Sequence, residues 1–455
     1  MEEGGSVGFI IACSSAVFLL IQGISISYSG IVPFNNVLIQ SVFSLVVISI
    51  CSVQFVLIGS SLMCNSNDSK LFGMFIGPTS DILMLGAPSE SAHAMINYFG
   101  SRLLSLSFSS VSAAIMVGAA TQRGRFIPCL IFLALWLTIV YDPIAYWCWN
   151  PNGWANRLGA LDYAGGTAVH CTSGVTALVY SWHLGPRNDE SRRCRPYSFY
   201  AVVCGTFLMW CGWIGFNAGS AMSPTASSLR ALMNTHISAS FGGLTWMLLD
   251  HVLDETWSLI GFCTGVVSGL VCVTPAAAMI PPWASIFFGI LGGLICNLGT
   301  KIKFNLGVDD ALDVFAVHGI GGILGSLLTG IFADDIDPNR NAGLLFGNPK
   351  QLLIQVWSVF AITIYTGIVS HFLLIFVNRY STLRIDDEQE TIGLDLAEHG
   401  EMATAYSDSS NLAITSTAQY KSEVQVNRYR QTHLNAPMFP DLSETPLLQV
   451  FSGES

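Results

Sequence analysis

Leu161-Asp162-Tyr163-Ala164-Gly165-Gly166-Thr167-Ala168-Val169-His170 and Leu312-Asp313-Val314-Phe315-Ala316-Val317-His318-Gly319 are the two stretches on which the reading of this 455-residue chain turns. Each opens on Leu-Asp, reaches Val-His, and belongs to an apolar run, 163–184 and 311–333, of a length that crosses a bilayer. Roughly 20 residues suffice, because the hydrocarbon is about 30 Å thick and a helix rises about 1.5 Å per residue. The same rise carries His170 about 12 Å and His318 about 8 Å beyond its aspartate, well inside the bilayer. An ionisable side chain there is expensive, which makes both histidines candidates for function.

Working outward, further runs lie at 7–31, 41–64, 95–120, 126–147, 198–221, 232–249, 257–278, 282–299 and 350–379. The expected fold is therefore an all-α integral membrane protein with eleven transmembrane helices. The last run, about 45 Å long as a helix, must tilt or protrude. An odd number of spans puts the termini on opposite sides, and basic residues favour the cytoplasm. With the N-terminus outside, ten Lys and Arg fall on the inner side (Arg123, Arg125, Arg187, Arg192, Arg193, Arg195, Lys301, Lys303, Arg379, Arg384) against five outside (Lys70, Arg157, Arg230, Arg340, Lys350), so N-out and C-in is the predicted topology. The two histidine runs then enter from opposite faces. That is the pattern of an inverted five-helix repeat, spans 1–5 and 6–10, with its site near the midplane.

Composition agrees. Hydrophobic residues make up 51% of the chain and charged residues 11%, less than half the share of about 25% usual in soluble domains. The net charge of −11 gathers in loops and after Tyr380, which argues against nucleic acid as a partner. None of the twelve cysteines forms a C-x-x-C pair; Cys51, Cys171, Cys204, Cys211, Cys263 and Cys272 lie in apolar runs and read as small packing residues. No basic region precedes the first run, so it is expected to be retained and not cleaved. The sequon Asn67-Asp68-Ser69 falls in the external 65–94 loop. Gly215/Gly219, Gly265/Gly269, Gly289/Gly293 and Gly321/Gly325 suit close helix packing. The spans fill 1–380; residues 381–455 form a tail, expected to be ordered near 383–401 and disordered after about 405, where Ser, Thr, Asn and Gln dominate.

A neutral imidazole donates through one nitrogen and accepts through the other, which suits a small hydrogen-bonding solute. Brought together, the two rings would line a narrow pore; unrelated, each would bond a backbone carbonyl. Zinc is a poor fit, since two histidines lack a third ligand, and no cofactor is expected. Asp162 would either steady a cation in a vestibule or cap a helix N-terminus, whereas capping is the expectation for Asp313.

The stretches Trp136 to Trp149 (WLTIVYDPIAYWCW), Leu161 to His170, Gly212 to Ser220 (GWIGFNAGS), Val273 to Ala276 (VTPA), Val308 to Gly319 (VDDALDVFAVHG) and Gly393 to Glu401 (GLDLAEHGE) closely resemble the ammonium transporter (Amt/Mep/Rh) family, from about residue 7 to 405. The resemblance implies an external ammonium site at Phe108, Trp149 and Ser220, a gate of Phe108 and Phe216, and a pore pair of His170 and His318. It further implies a plasma-membrane homotrimer with one pore per subunit, whose tail meets a neighbour or a cytoplasmic regulator. Aromatic faces attract a cation and a serine oxygen accepts an N–H bond. Leu104, where many relatives have an aromatic, Gln54 and Arg102 depart from the pattern, and Ala397 stands where some relatives place a phosphorylatable threonine. A second reading is an ammonium sensor signalling through the tail with weak transport; a third is a channel for another neutral gas. A membrane-embedded enzyme is disfavoured, for the sequence offers no metal cluster, nucleophilic triad or phosphate loop.

Overall fold

Inside hydrocarbon the backbone has to bond to itself, and a helix does so within one segment. The computed structural model describes residues 2–66, 72–89, 91–189, 192, 196–334 and 342–401. These form helices and turns, joined by one isolated bridge between Gly124 and Arg384. The sequon at Asn67 and the tail after 401 lie outside the described residues.

Nine helices among the described residues are long and apolar enough to cross a membrane: Gly4–Ile31, Phe34–Cys64, Ala92–Ala120, Phe126–Leu158, Phe199–Gly219, Leu259–Ala276, Pro282–Leu306, Phe315–Phe332 and Pro349–Tyr380. The two remaining expected spans are helical but more polar. Thr172–Leu184, preceded by the π-helical turn Gly166–Cys171, carries Thr172, Ser173 and Thr176, and Ala226–Asp254 carries Asn234, Thr235, His236, Ser238 and Ser240.

Packing relies on small residues, as their spacing suggested. A Cβ on Gly215 would lie 2.6 Å from that of Ala16, and one on Gly219 would lie 2.9 Å from that of Cys13. Across the second half, a Cβ on Gly265 would meet the Gly242 carbonyl oxygen at 2.5 Å, and one on Gly293 would meet it at 2.6 Å. The cysteine expectation holds for Cys51, Cys171, Cys263 and Cys272, which are buried, and fails for Cys211, which is exposed on the outer face of its helix; Cys204 is half-buried. An apolar run facing hydrocarbon leaves such a residue uncovered.

The last helix, Pro349–Tyr380, shows how lipid inverts the usual pattern. Its exposed stripe is Leu353, Trp357, Phe360, Ile364, Ile368 and Phe372, whereas Gln351, Gln355, Ser358, Thr366 and Ser370 point inward. Thr176 links Ser370 (3.1 Å) to the indole nitrogen of Trp136 (2.9 Å).

Beyond that helix, residues 383–401 turn back over its end of the bundle, with helices at Asp387–Ile392 and Leu394–Ala397. Asp395 accepts from the Leu38 and Ile39 amides at 2.9 and 2.8 Å, capping the helix that starts at Val37. Buried Glu390 takes Arg384 (2.8 Å) and the Asn188 amide (2.7 Å), and Glu398 accepts from the Phe126 amide. Nearby, Asp309 receives Arg187 through two guanidinium N–H groups, each at 2.9 Å. Buried Arg123 donates to the Asp309 and Gly185 carbonyls. Burial lowers the Arg123 pKa to about 10, against the opposing pull of the Asp309 charge.

Burial alone would raise the Asp309 pKa, but the Arg187 bonds and the Arg187 and Arg123 charges outweigh it and hold the carboxyl well below the usual carboxylate range. A depressed folded pKa stabilises the fold above the unfolded value, about 3.9, and that contribution is lost as pH falls through the folded value. Asp309→Asn is expected to cost about 1 kcal/mol at neutral pH, since the pair sits at a water boundary. It should also flatten the acid limb of a thermal-unfolding profile in detergent; an unchanged limb would contradict the assignment.

Candidate functional site

The two histidines meet because two helices cross almost in backbone contact. A Cβ on Gly174 would collide with the Gly319 backbone, and one on Gly322 would sit 2.5 Å from the Gly166 carbonyl oxygen and 2.8 Å from the Cys171 amide. Both histidines stand in π-helical turns, Gly166–Cys171 and Phe315–Ile320. Their Nδ1 atoms are 3.4 Å apart and the rings are nearly stacked, with centroids 5.4 Å apart and an interplanar angle of 29°. One Nδ1 donates and the other accepts. The His170 ring also stacks on Trp213 at 5.0 Å, and its Nε2 is buried without a partner.

Asp162 secures the approach to His170. Gly165, at φ +105°, turns the chain into the π-helical segment. The Asp162 carboxylate then accepts from the amides of Gly165, Gly166, Thr167 and Ala168 at 2.9, 2.6, 3.0 and 3.0 Å. Both oxygens are thus engaged in capping, while Asp162 still borders the adjoining cavity.

In the other half the cap is Asp310, which accepts from the Phe315 amide at 2.8 Å; Asp313, expected to cap, pairs instead with Lys303 at 2.7 Å. Aligning the Leu-Asp dipeptides therefore put the second half out of register. The missed signal is the spacing: Asp162 precedes His170 by eight residues and Asp310 precedes His318 by the same eight.

From the histidines an aromatic line leads to a cavity. Phe216 lies 6.2 Å from His170, Phe108 packs on Phe216 at 4.1 Å, and Trp149 meets Phe108 edge-on at 5.7 Å. Phe216 is fully buried and Phe108 nearly so. The Trp149 indole donates to the Asp162 carbonyl at 2.9 Å. Trp149, Ser220, Asp162 and Tyr163 line a cavity of about 320 Å³. The Ser220 hydroxyl donates to the Phe216 carbonyl at 3.2 Å, so its oxygen stays able to accept. At the other end His318 lines a second cavity of about 50 Å³ with Ser27, Tyr28 and Leu312. Packed rings and imidazoles join the two cavities. Of the sequence-derived site residues, Trp149, Phe108, Phe216, His170 and His318 fall on this line, and Ser220 and Asp162 border the cavity at its end.

The three departures have physical accounts. Leu104 is buried and would contact a side chain on Gly219. Arg102 bonds Asp81 (3.2 Å), Asn65 (2.6 Å) and Ser60 (3.1 Å), lies over the Tyr98 ring, and so anchors the 72–89 loop. Gln54 bonds Asp142 at 2.7 Å. Sequence reasoning missed Gln355, which accepts from the Leu161 amide (2.8 Å) and donates to the Leu161 and Ser326 carbonyls (2.7 and 3.0 Å), fixing the segment that presents Asp162. Among the described residues no three His, Cys, Asp or Glu side chains gather to hold a metal.

Repeated apolar helices and an interior of two cavities joined by packed aromatic and imidazole rings define a multi-pass membrane transport protein. The chain belongs to the Ammonium Transporter Family, whose sequence model matches residues 8–404. It is 38% identical to "Ammonium transporter 1" of Schizosaccharomyces pombe over 92% of this chain and 87% of that protein. It superposes on the crystal structure of Saccharomyces cerevisiae Mep2 with a TM-score of 0.77 at 35% identity, over 84% of this chain and 90% of that one. A structure described as a sensor Amt protein gives a TM-score of 0.80 at 25% identity, over 87% of this chain and 98% of that one. Belonging to a transporter family, the chain is not an enzyme.

Gln355→Leu removes the bonds to Leu161, Ser326 and Gln351 and leaves the Leu161 peptide unpartnered in a buried segment. The expected loss is about 2–3 kcal/mol of stability, read as a lowered melting temperature of the detergent-solubilised protein.

Proposed function

We propose that this chain carries ammonium across the membrane by recruiting the cation, stripping its proton and conducting ammonia past the bonded pair His170 and His318. The observation that carries the reading is the continuous line Trp149, Phe108, Phe216, His170, His318 between two cavities, in a member of this family. Trp149 and Phe108 offer ring faces, each worth about 0.5–2 kcal/mol to a cation, and Ser220 offers an oxygen. Asp162 adds negative charge at the cavity edge while it caps.

Beyond the cavity, a charge meets the stacked Phe108 and Phe216, and desolvation there is severe. Ammonium lowers the barrier by giving up a proton, which either stays behind or is relayed separately, and the remaining NH3 passes the rings as a neutral donor and acceptor. Potassium and sodium have no proton to lose and are rejected. In this reading the chain crosses the plasma membrane eleven times as an inverted repeat, N-terminus outside and tail in the cytoplasm. It assembles as a homotrimer, and its tail receives any regulator.

The test is flux in liposomes holding the purified protein. Ammonium, with methylammonium as analogue, is expected to give a flux or current that potassium does not; no ammonium-dependent signal would end the proposal. His170→Ala and His318→Ala should abolish conduction or change selectivity, and unchanged currents would remove the histidines from the mechanism. Trp149→Leu should weaken apparent affinity about fivefold, the loss of about 1 kcal/mol of cation–π attraction. The likeness to a sensor Amt structure favours a second reading, an ammonium sensor that transports weakly. Growth of transport-deficient cells on low ammonium separates the two, because a pure sensor would not restore it.

A further inference from the structure

Away from the proposed pore, a carboxyl group sits inside the membrane with no opposite charge. Asp142 is fully buried within the helical run from Phe126 to Trp149, two turns from its end, and has no ion-pair partner among the described residues. The Gln54 amide nitrogen, from the Phe34–Cys64 span, donates to its Oδ2 at 2.7 Å and to the Thr138 hydroxyl at 3.1 Å. That uses both amide hydrogens. Two atoms are left buried without partners, Asp142 Oδ1 and Gln54 Oε1, and as ordinarily written both are acceptors.

We propose that Asp142 is a proton-binding site, holding a proton on Oδ1 that is donated to Gln54 Oε1 and closes an acid–amide ring between the two spans. One proton satisfies both orphaned atoms. An ionised Asp142 would leave a full charge in the protein interior with a single amide partner, the arrangement that buried charges avoid. Turning the Gln54 amide over does not remove the need, because Gln54 and Asp142 would then face each other oxygen to oxygen across 2.7 Å. The proton would have to lie between them.

The surroundings fit a neutral pair. The titratable side chains that feel the Asp142 charge are Cys51 and Cys64 on the Gln54 side and Tyr141 beside it, all uncharged at neutral pH. Arg102, beyond Cys64, is taken by Asp81. Backbone geometry prepares the contact on both sides. Gln54 immediately precedes the π-helical turn Phe55–Gly59, and Asp142 immediately follows the π-helical turn Leu137–Tyr141. Gly59 leaves the ring its space: a Cβ there would lie 2.7 Å from Gln54 Oε1 and 3.1 Å from Asp142 Oδ2. The proton therefore joins two spans at their irregular turns, independently of how the pore works.

Infrared spectroscopy of the full-length protein in lipid vesicles tests this. The wild type should show a protonated-carboxyl C=O band at neutral pH that Asp142→Asn removes. The amide introduced by Asp142→Asn would mimic the acid, donating to Gln54 Oε1 and accepting from Gln54 Nε2, so folding and ammonium flux should stay within about twofold of wild type, the span of a few tenths of a kcal/mol. Gln54→Leu should keep the band but shift it, since the acid loses its partner. A bound proton stabilises the fold at low pH and ceases to do so as pH rises through the folded pKa. The wild type should therefore lose more thermal stability on the alkaline side than Asp142→Asn. A spectrum in which Asp142→Asn removes no protonated-carboxyl band, or removes only carboxylate intensity, would overturn the proposal, as would identical alkaline stability profiles.

Discussion

One carboxylate holding four backbone amides underlies the geometry of the site. Non-helical backbone within a membrane protein is tolerated only where its N–H and C=O groups find partners inside the molecule, and the segment from Gly159 to Gly165 is such a stretch. Asp162 absorbs the amides at the start of the His170 turn, its own carbonyl receives Trp149, and the preceding peptide is clamped by Gln355. The position of the indole at one cavity and of the imidazole beyond the two phenylalanines thus derive from the same residue. Capping and the proposed cation site are not rival roles for Asp162, because the orientation that satisfies the amides is the one that sets the carboxylate at the cavity edge.

The second requirement is close approach. The imidazoles face each other because Gly174 and Gly319 allow their helices to cross with no side chain between. Interhelical attraction in lipid is mostly packing and hydrogen bonding, not exclusion of water, so small residues at crossings set the whole arrangement. The last helix shows the complementary rule, with glutamines, serines and threonines turned inward and aromatic and aliphatic residues turned out.

Much of this was legible in the sequence. The apolar runs stand out against their flanks, and two histidines within them are conspicuous wherever burial makes ionisable groups expensive. The runs at 163–184 and 232–249 are harder to recognise as spans, because their polar residues face other helices and count against hydropathy all the same. Register was the clearest miss. Leu-Asp occurs at both sites and draws the eye to Asp313, whereas the eight-residue spacing to the histidine and the amide bond to Phe315 show that Asp310 answers to Asp162. Gln54 and Arg102 looked anomalous for a related reason: their partners, Asp142 and Asp81, are distant in sequence, and one chain read alone carries no sign of such pairing. Gln355 was invisible because its bonds go to backbone.

Residues 383–401 are laced through three separate helix ends. Asp395 holds the start of the helix at Val37, Glu398 and the Leu383 carbonyl hold the start of the one at Phe126, and Arg384 with Glu390 holds the chain leaving Leu184. Whatever tugs on this strap slackens all three eyelets together, so a disturbance confined to a few tail residues would reach the ends of spans far apart in the chain without touching the pore.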